Sequence, residues 1–104
     1  MARREGRSDM AQDDNALERY QLAEDKMETA FSKRRERAGA LQFLAGMVTT
    51  NRQVTGVVVT RFDVRQAQNI LAEMARLEEE IASAVEVMNA NALKCGKPVM
   101  KLSD

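Results

Sequence analysis

Apolar residues recur along most of this chain at alternating spacings of three and four, the period of one helix face. The first stripe runs through Leu17, Tyr20, Met27, Phe31, Ala38, Leu41, Ala45 and Val48, interrupted by Glu24 and Arg34. It predicts a helix over 15–51. Asn15 is its expected cap, with Glu18 three residues on, the spacing of a capping box. A second stripe, Ala67, Ile70, Met74, Leu77, Ile81, Ala84, Met88, Asn91 and Cys95, predicts a helix over 63–95. Asp63 and Gln66 supply the same box at its start. Gly96 and Pro98 supply stop signals at its end.

Between the stripes the period changes. Gln53–Phe62 is the one segment that reads as strand, with Val54, Val57, Val58 and Val59 beside two threonines and Phe62. Branched and aromatic residues favour extended backbone, and Gly56 marks a turn. The predicted hinge covers 52–62. Its valines have three available partners: each other across Gly56, the chain's own tail, or another copy. Residues 1–14 show no apolar period and read as a flexible arm. Residues 97–104 read as an extended tail, in which Val99–Leu102 could add a strand.

Folding the two helices back on each other brings the basic block Lys33–Arg37 opposite Glu78–Glu80. Arg34 then lies beside Ile81 and can reach the glutamate run, and Glu24 and Asn91 share a layer. Complementary flanking charges select orientation in coiled coils, and a polar seam residue sets register. The predicted fold is therefore all-α: an antiparallel two-helix hairpin, coiled-coil-like, with a short β-prone hinge.

Each helix carries more apolar surface than one partner covers. Leu71, Val85 and Ala92 widen the second stripe. Ala38–Val48 is apolar nearly all round, which requires neighbours on several sides. Gly39 and Gly46 lie seven apart on one face, where another backbone could approach. The hairpin is thus expected to assemble, as a homo-oligomer, into a helical bundle or ring. The expected contacts are Leu41, Phe43, Leu44, Met47 and Val48 on the first helix. Val54, Val57, Val58, Val59 and Phe62 follow in the hinge, and Leu71 and Val85 on the second helix.

Composition narrows the chemistry. The 104 residues make one domain, with formal charge zero, 31% charged and 44% hydrophobic residues, as in folded soluble proteins. Histidine is absent, which removes the commonest general base and metal ligand. Cys95 has no partner for an internal disulfide and sits on the seam, where it reads as a small buried hydrophobe. The serines fall in no nucleophile motif, and no glycine-rich phosphate loop is present. No catalytic residue, metal ligand or cofactor is expected.

Lys33, Arg34, Arg35 and Arg37 are the candidate phosphate contacts. The facing glutamates cancel much of their field, however, and no aromatic residues are interleaved for stacking. A third idea, a tip that dips into a membrane, is opposed by Arg52 and Arg61 in that apolar end. The longest apolar-rich run, 38–48, is about half the ~20 residues a spanning helix needs. The basic start lacks the apolar core of a secretion signal. The expected location is cytoplasmic or virion-associated.

The expected function is non-enzymatic: a structural or adaptor protein, a self-associating subunit or accessory factor of a larger assembly. Long helical hairpins with a strand-forming bend recur in building blocks of phage particles and secretion devices, an analogy of architecture. The alternatives are a nucleic-acid-binding helical dimer, or an inhibitor or chaperone that occupies a partner's helical groove.

Overall fold

A computed structural model describes the backbone of residues 2–50 and 53–103, and the side chains within them from Asn15 onward. Helix α1 spans Ala2–Thr49 and helix α2 spans Val64–Ala92, antiparallel to it. A two-stranded ribbon joins them, β1 at Val54–Thr55 and β2 at Val58–Val59. The result is a rod with extents of 85 × 18 × 17 Å.

α1 does not start at Asn15. It is helical from Ala2, so Asn15 is an interior residue and not a cap. Residues 2–14 contain no proline and one glycine, and extending an existing helix is far cheaper than nucleating one. The arm read over 1–14 therefore has helical backbone from Ala2, and its side chains lie outside the described residues.

At its other end α1 stops at Thr49. The Thr49 hydroxyl donates to the Gly46 carbonyl at 3.1 Å, and the Gln53 amide donates to the Val48 carbonyl at 3.3 Å. These satisfy carbonyls that the missing next turn leaves unpaired. Asn51 and Arg52 lie outside the described residues.

The hinge valines pair within the chain. Val54 faces Val59 and Thr55 faces Val58, and the Thr60 amide extends the ladder to the Gln53 carbonyl at 2.9 Å. Only Gly56 and Val57 form the turn. Gly56 has φ +62° while Val57 keeps a negative φ, the pattern of a two-residue hairpin that needs glycine first. Asp63 then caps α2, its carboxylate accepting from the Gln66 amide at 3.0 Å.

The core is split. Near the open end Tyr20, Ala23, Met27 and Ala30 pack against Leu77, Ile81, Ala84, Val85, Met88 and Ala92. Near the ribbon Leu44 packs against Ala67 and Ile70, flanked by Ala40, Leu41 and Met74. Between them sits a charged waist. Arg34 and Arg37 occupy successive seam positions but turn outward: Arg34 reaches Glu78 at 2.7 Å, and Arg37 lies 3.9 Å from Glu73. The Arg34 guanidinium also lies 5.0 Å from the centre of the Phe31 ring, a cation–π contact.

On α2 every expected seam residue is buried or half-buried. On α1 all of the expected stripe but Leu17 and Ala38 is buried or half-buried too, and Phe31 packs against the larger core cluster. The most buried residues also include Ala16, Ala23, Ala30 and Leu44, each one place before an expected Leu17, Glu24, Phe31 or Ala45. The contact with α2 is thus centred between the two sets, and small alanines take several of its innermost places. Leu17 is consequently exposed. Arg34 reaches the facing glutamate run at Glu78, as the opposed charge blocks predict.

The end of α2 tightens into a 3₁₀ turn at Leu93–Cys95. Gly96 adopts the left-handed conformation, φ 72° and ψ 26°, and the Lys97 amide returns to the Ala92 carbonyl at 2.9 Å. That closure is the six-residue bond of a Schellman stop. Residues 97–103 then form neither helix nor strand. Asn89 pins this tail at Met100, which packs on the larger core cluster.

Candidate interaction surface

The expected contact residues fall into three groups. Leu44 and Val85 belong to the chain's own core. Their apolar surface is already covered within the hairpin, Val85 in the larger cluster and Leu44 in the smaller. Leu41 and Val48 are half-buried, and Leu41 packs against the smaller cluster. The others point outward: Phe43 is 70% exposed, and Met47, Leu71 and Phe62 are exposed as well. In the ribbon Val54, Val58 and Val59 are exposed, and Val57 at its turn is 99% exposed. A two-stranded ribbon has no layer beneath it, so neither of its faces has anything to pack on.

Two of the four basic residues in the block are engaged. Arg34 and Arg37 are held by glutamates of α2, while Lys33 and Arg35 are exposed. Gly39 and Gly46 face open space, with nothing within 4 Å of where a Cβ would stand. No helix of the described residues is long and apolar enough to cross a membrane. Among the described residues no three acidic, cysteine or histidine side chains gather at one point.

At the open end Tyr20 is buried beside Glu24 and Cys95. Burial chiefly, and then the electrostatic influence of Glu24 and Cys95 beside it, push its phenol above the ordinary value of 10.0. The Cys95 thiol donates to the Asn91 carbonyl at 3.2 Å, and the Asn91 amide donates to the Val87 carbonyl at 2.8 Å. Asn91 is thereby satisfied inside its own helix, without reaching across to Glu24.

One surface was not anticipated. Leu22 is 57% exposed and Val87 44% exposed, and they border one shallow trough between the helices, floored by Ala23 and Ala84. Two further troughs border the same helix flanks. Lys33, Glu36, Glu73, Arg76 and Glu80 line the one at the waist. Phe43, Met47, Arg61 and Gln66 line the one nearest the ribbon. On α1 these lining residues recur at three- and four-residue steps from Leu22 to Met47, which is a helix face of its own. That face is apolar only at its ends, so a search for apolar spacing passes over it. Its signal is the regular recurrence of charge, Lys26, Lys33 and Glu36, in the same phase as Leu22, Phe43 and Met47.

No family model, curated protein or solved structure matches this chain.

Proposed function

We propose that this chain is a non-enzymatic assembly element, a hairpin that associates with copies of itself to form a structural or adaptor part of a larger complex. The observation that carries the reading is the uncovered apolar surface around the ribbon end. Phe43, Met47, Phe62 and the four ribbon valines stand exposed together on a rod only 18 Å thick. Apolar patches of that kind mark interaction sites, and an exposed valine edge offers unpaired backbone groups to another strand. The absence of histidine, together with a seam of alanine, methionine and branched residues, supports scaffolding over catalysis. The ion pairs of Arg34 and Arg37 favour assembly over phosphate binding, because those charges are already neutralised. Building blocks of phage particles and secretion devices offer an architectural analogy.

Light scattering coupled to size exclusion tests the proposal. The expected mass is at least twice that of one 11.7 kDa chain; one chain's mass at micromolar concentration refutes it. Val58→Asp is expected to lower the mass while leaving the helical circular dichroism intact. An unchanged mass would remove the ribbon from the contact.

A further inference from the structure

We infer that the flank carrying Leu22, Phe43, Met47 and Val87 is the face on which a second copy of this chain packs, antiparallel, about a two-fold axis at the charged waist. The inference rests on the self-association proposed above and specifies one contact and its symmetry; the ribbon valines lie beyond this face, so a contact made through them joins such pairs to further copies. A two-fold interface must be self-complementary, so that each residue meets the partner of its own counterpart.

The waist satisfies that condition. On α1 Lys33 and Glu36 border the trough, and on α2 Glu73 and Arg76 border it. Each pair is one turn apart and opposite in sign. An axis passing between them sets Lys33 on the other copy's Glu36, and Arg76 on the other copy's Glu73. Among the described residues neither Lys33 nor Arg76 has an ion-pair partner within its own chain; Glu36 and Glu73 lie 3.5 and 3.9 Å from Arg37 and stay exposed enough to meet a second cation.

The apolar ends obey the same symmetry. Leu22 lies eleven residues before Lys33, and Met47 lies eleven after Glu36. Val87 lies eleven residues after Arg76 on α2, whereas Phe62, eleven before Glu73, stands ahead of the helix, which starts at Val64. The operation that pairs the charges therefore carries Leu22 to Met47 and brings Val87 to the ribbon end of the other copy's α2. Leu22, Met47 and Val87 are exposed in the single chain, and Leu22 and Met47 would cover each other. Lys26 falls opposite Phe43, where its stem can lie along the ring.

Charge selects antiparallel over parallel packing. Between Glu36 and Glu73 the chain has one acidic residue, Asp63, and that carboxylate already caps α2. Exposed Arg61 and Arg65 leave the ribbon end positive. Parallel packing would bring two such ends together, whereas antiparallel packing separates them by the length of the face. That length, Leu22 to Met47, is roughly 38 Å at ~1.5 Å per residue. Across a rod 18 Å wide, it offers on the order of 700 Å² per copy, close to the ~800 Å² per partner of a standard stable interface.

Two measurements test the inference. In the first, Lys33→Glu with Arg76→Glu brings like charges together, and the dissociation constant should rise by at least about tenfold with helical circular dichroism retained. The combined exchange Lys33→Glu, Glu36→Lys, Glu73→Arg and Arg76→Glu restores the palindrome with signs inverted, and should recover association. In the second, Leu22→Cys chains are mixed with Met47→Cys chains, both carrying Cys95→Ser, and oxidised. A disulfide should join the two kinds of chain, while Leu22→Cys chains alone form none. A disulfide between Leu22→Cys and Val87→Cys chains would instead show parallel packing and overturn the inference. A doubled mass that the charge reversal leaves unchanged, with no Leu22–Met47 disulfide, overturns this face alone. A single-chain mass for the unaltered protein removes self-association and this face with it.

Discussion

Asn89 grips the backbone of Met100 from both sides: its amide donates to the Met100 carbonyl at 2.8 Å, and its carbonyl accepts from the Met100 amide at 2.8 Å. One side chain thus imitates a paired strand and fastens the tail to α2. Asn89→Ala removes both bonds at once. At ~0.5–1.5 kcal/mol for each net hydrogen bond, the loss should be about 1–3 kcal/mol. The Met100 amide should exchange with deuterium far faster, and carboxypeptidase should trim the tail. Unaltered exchange at Met100 would mean that packing of its side chain, not the clamp, holds the tail.

The alanine seam makes a prediction opposite to the usual one for helix cores. Ala23 is 4% exposed and Leu17 is 37% exposed. Ala23→Leu should destabilise the hairpin by about 1–3 kcal/mol, through overpacking between close backbones. Leu17→Ala should cost under about 1 kcal/mol, as an exposed substitution does. Urea unfolding decides between them, and a larger loss for Leu17→Ala would restore the stripe that apolar spacing alone predicts.

The glycines divide by conformation. Gly39 and Gly46 lie in α1 with open space around them, so alanine at either should raise stability by about 1 kcal/mol. Gly56 has φ +62°, where a Cβ costs about 1–2 kcal/mol, so Gly56→Ala should lower it. Reduced association in Gly39→Ala or Gly46→Ala, with monomer stability raised, would show a partner backbone resting on that face.

Tyr20 should make stability fall at alkaline pH. Its phenol ionises at the ordinary 10.0 in the unfolded chain and above that in the folded one. Between the two values the folded state holds the proton and the unfolded state has lost it. Stability therefore declines as pH rises past 10.0, and the contribution is gone once pH exceeds the folded value. Tyr20 is the only tyrosine and tryptophan is absent, so ultraviolet absorbance reports its titration alone. Tm measured across this range should fall more steeply for the unaltered chain than for Tyr20→Phe. Equal slopes would assign the decline to other groups.

The period of the apolar residues determined that two helices form, where α2 begins and ends, and which of its residues face inward. Those are local properties, because a cap, a stop and a repeat of three and four act through bonds a few residues apart. Opposed charge blocks also put Lys33–Arg37 near Glu78–Glu80, and Arg34 does reach Glu78. Which side of α1 turns toward α2 was decided only in three dimensions. Spacing gives Leu17 and Ala16 nearly equal claims, and the close approach of two backbones settles it for the smaller residue. The same contact buried Leu44 and Val85, left Phe43 and Leu22 exposed, and put charged residues of two distant segments on one flank at the waist. A linear pattern records what each residue is, but the packing of one helix on the other decides which surface remains for a neighbour.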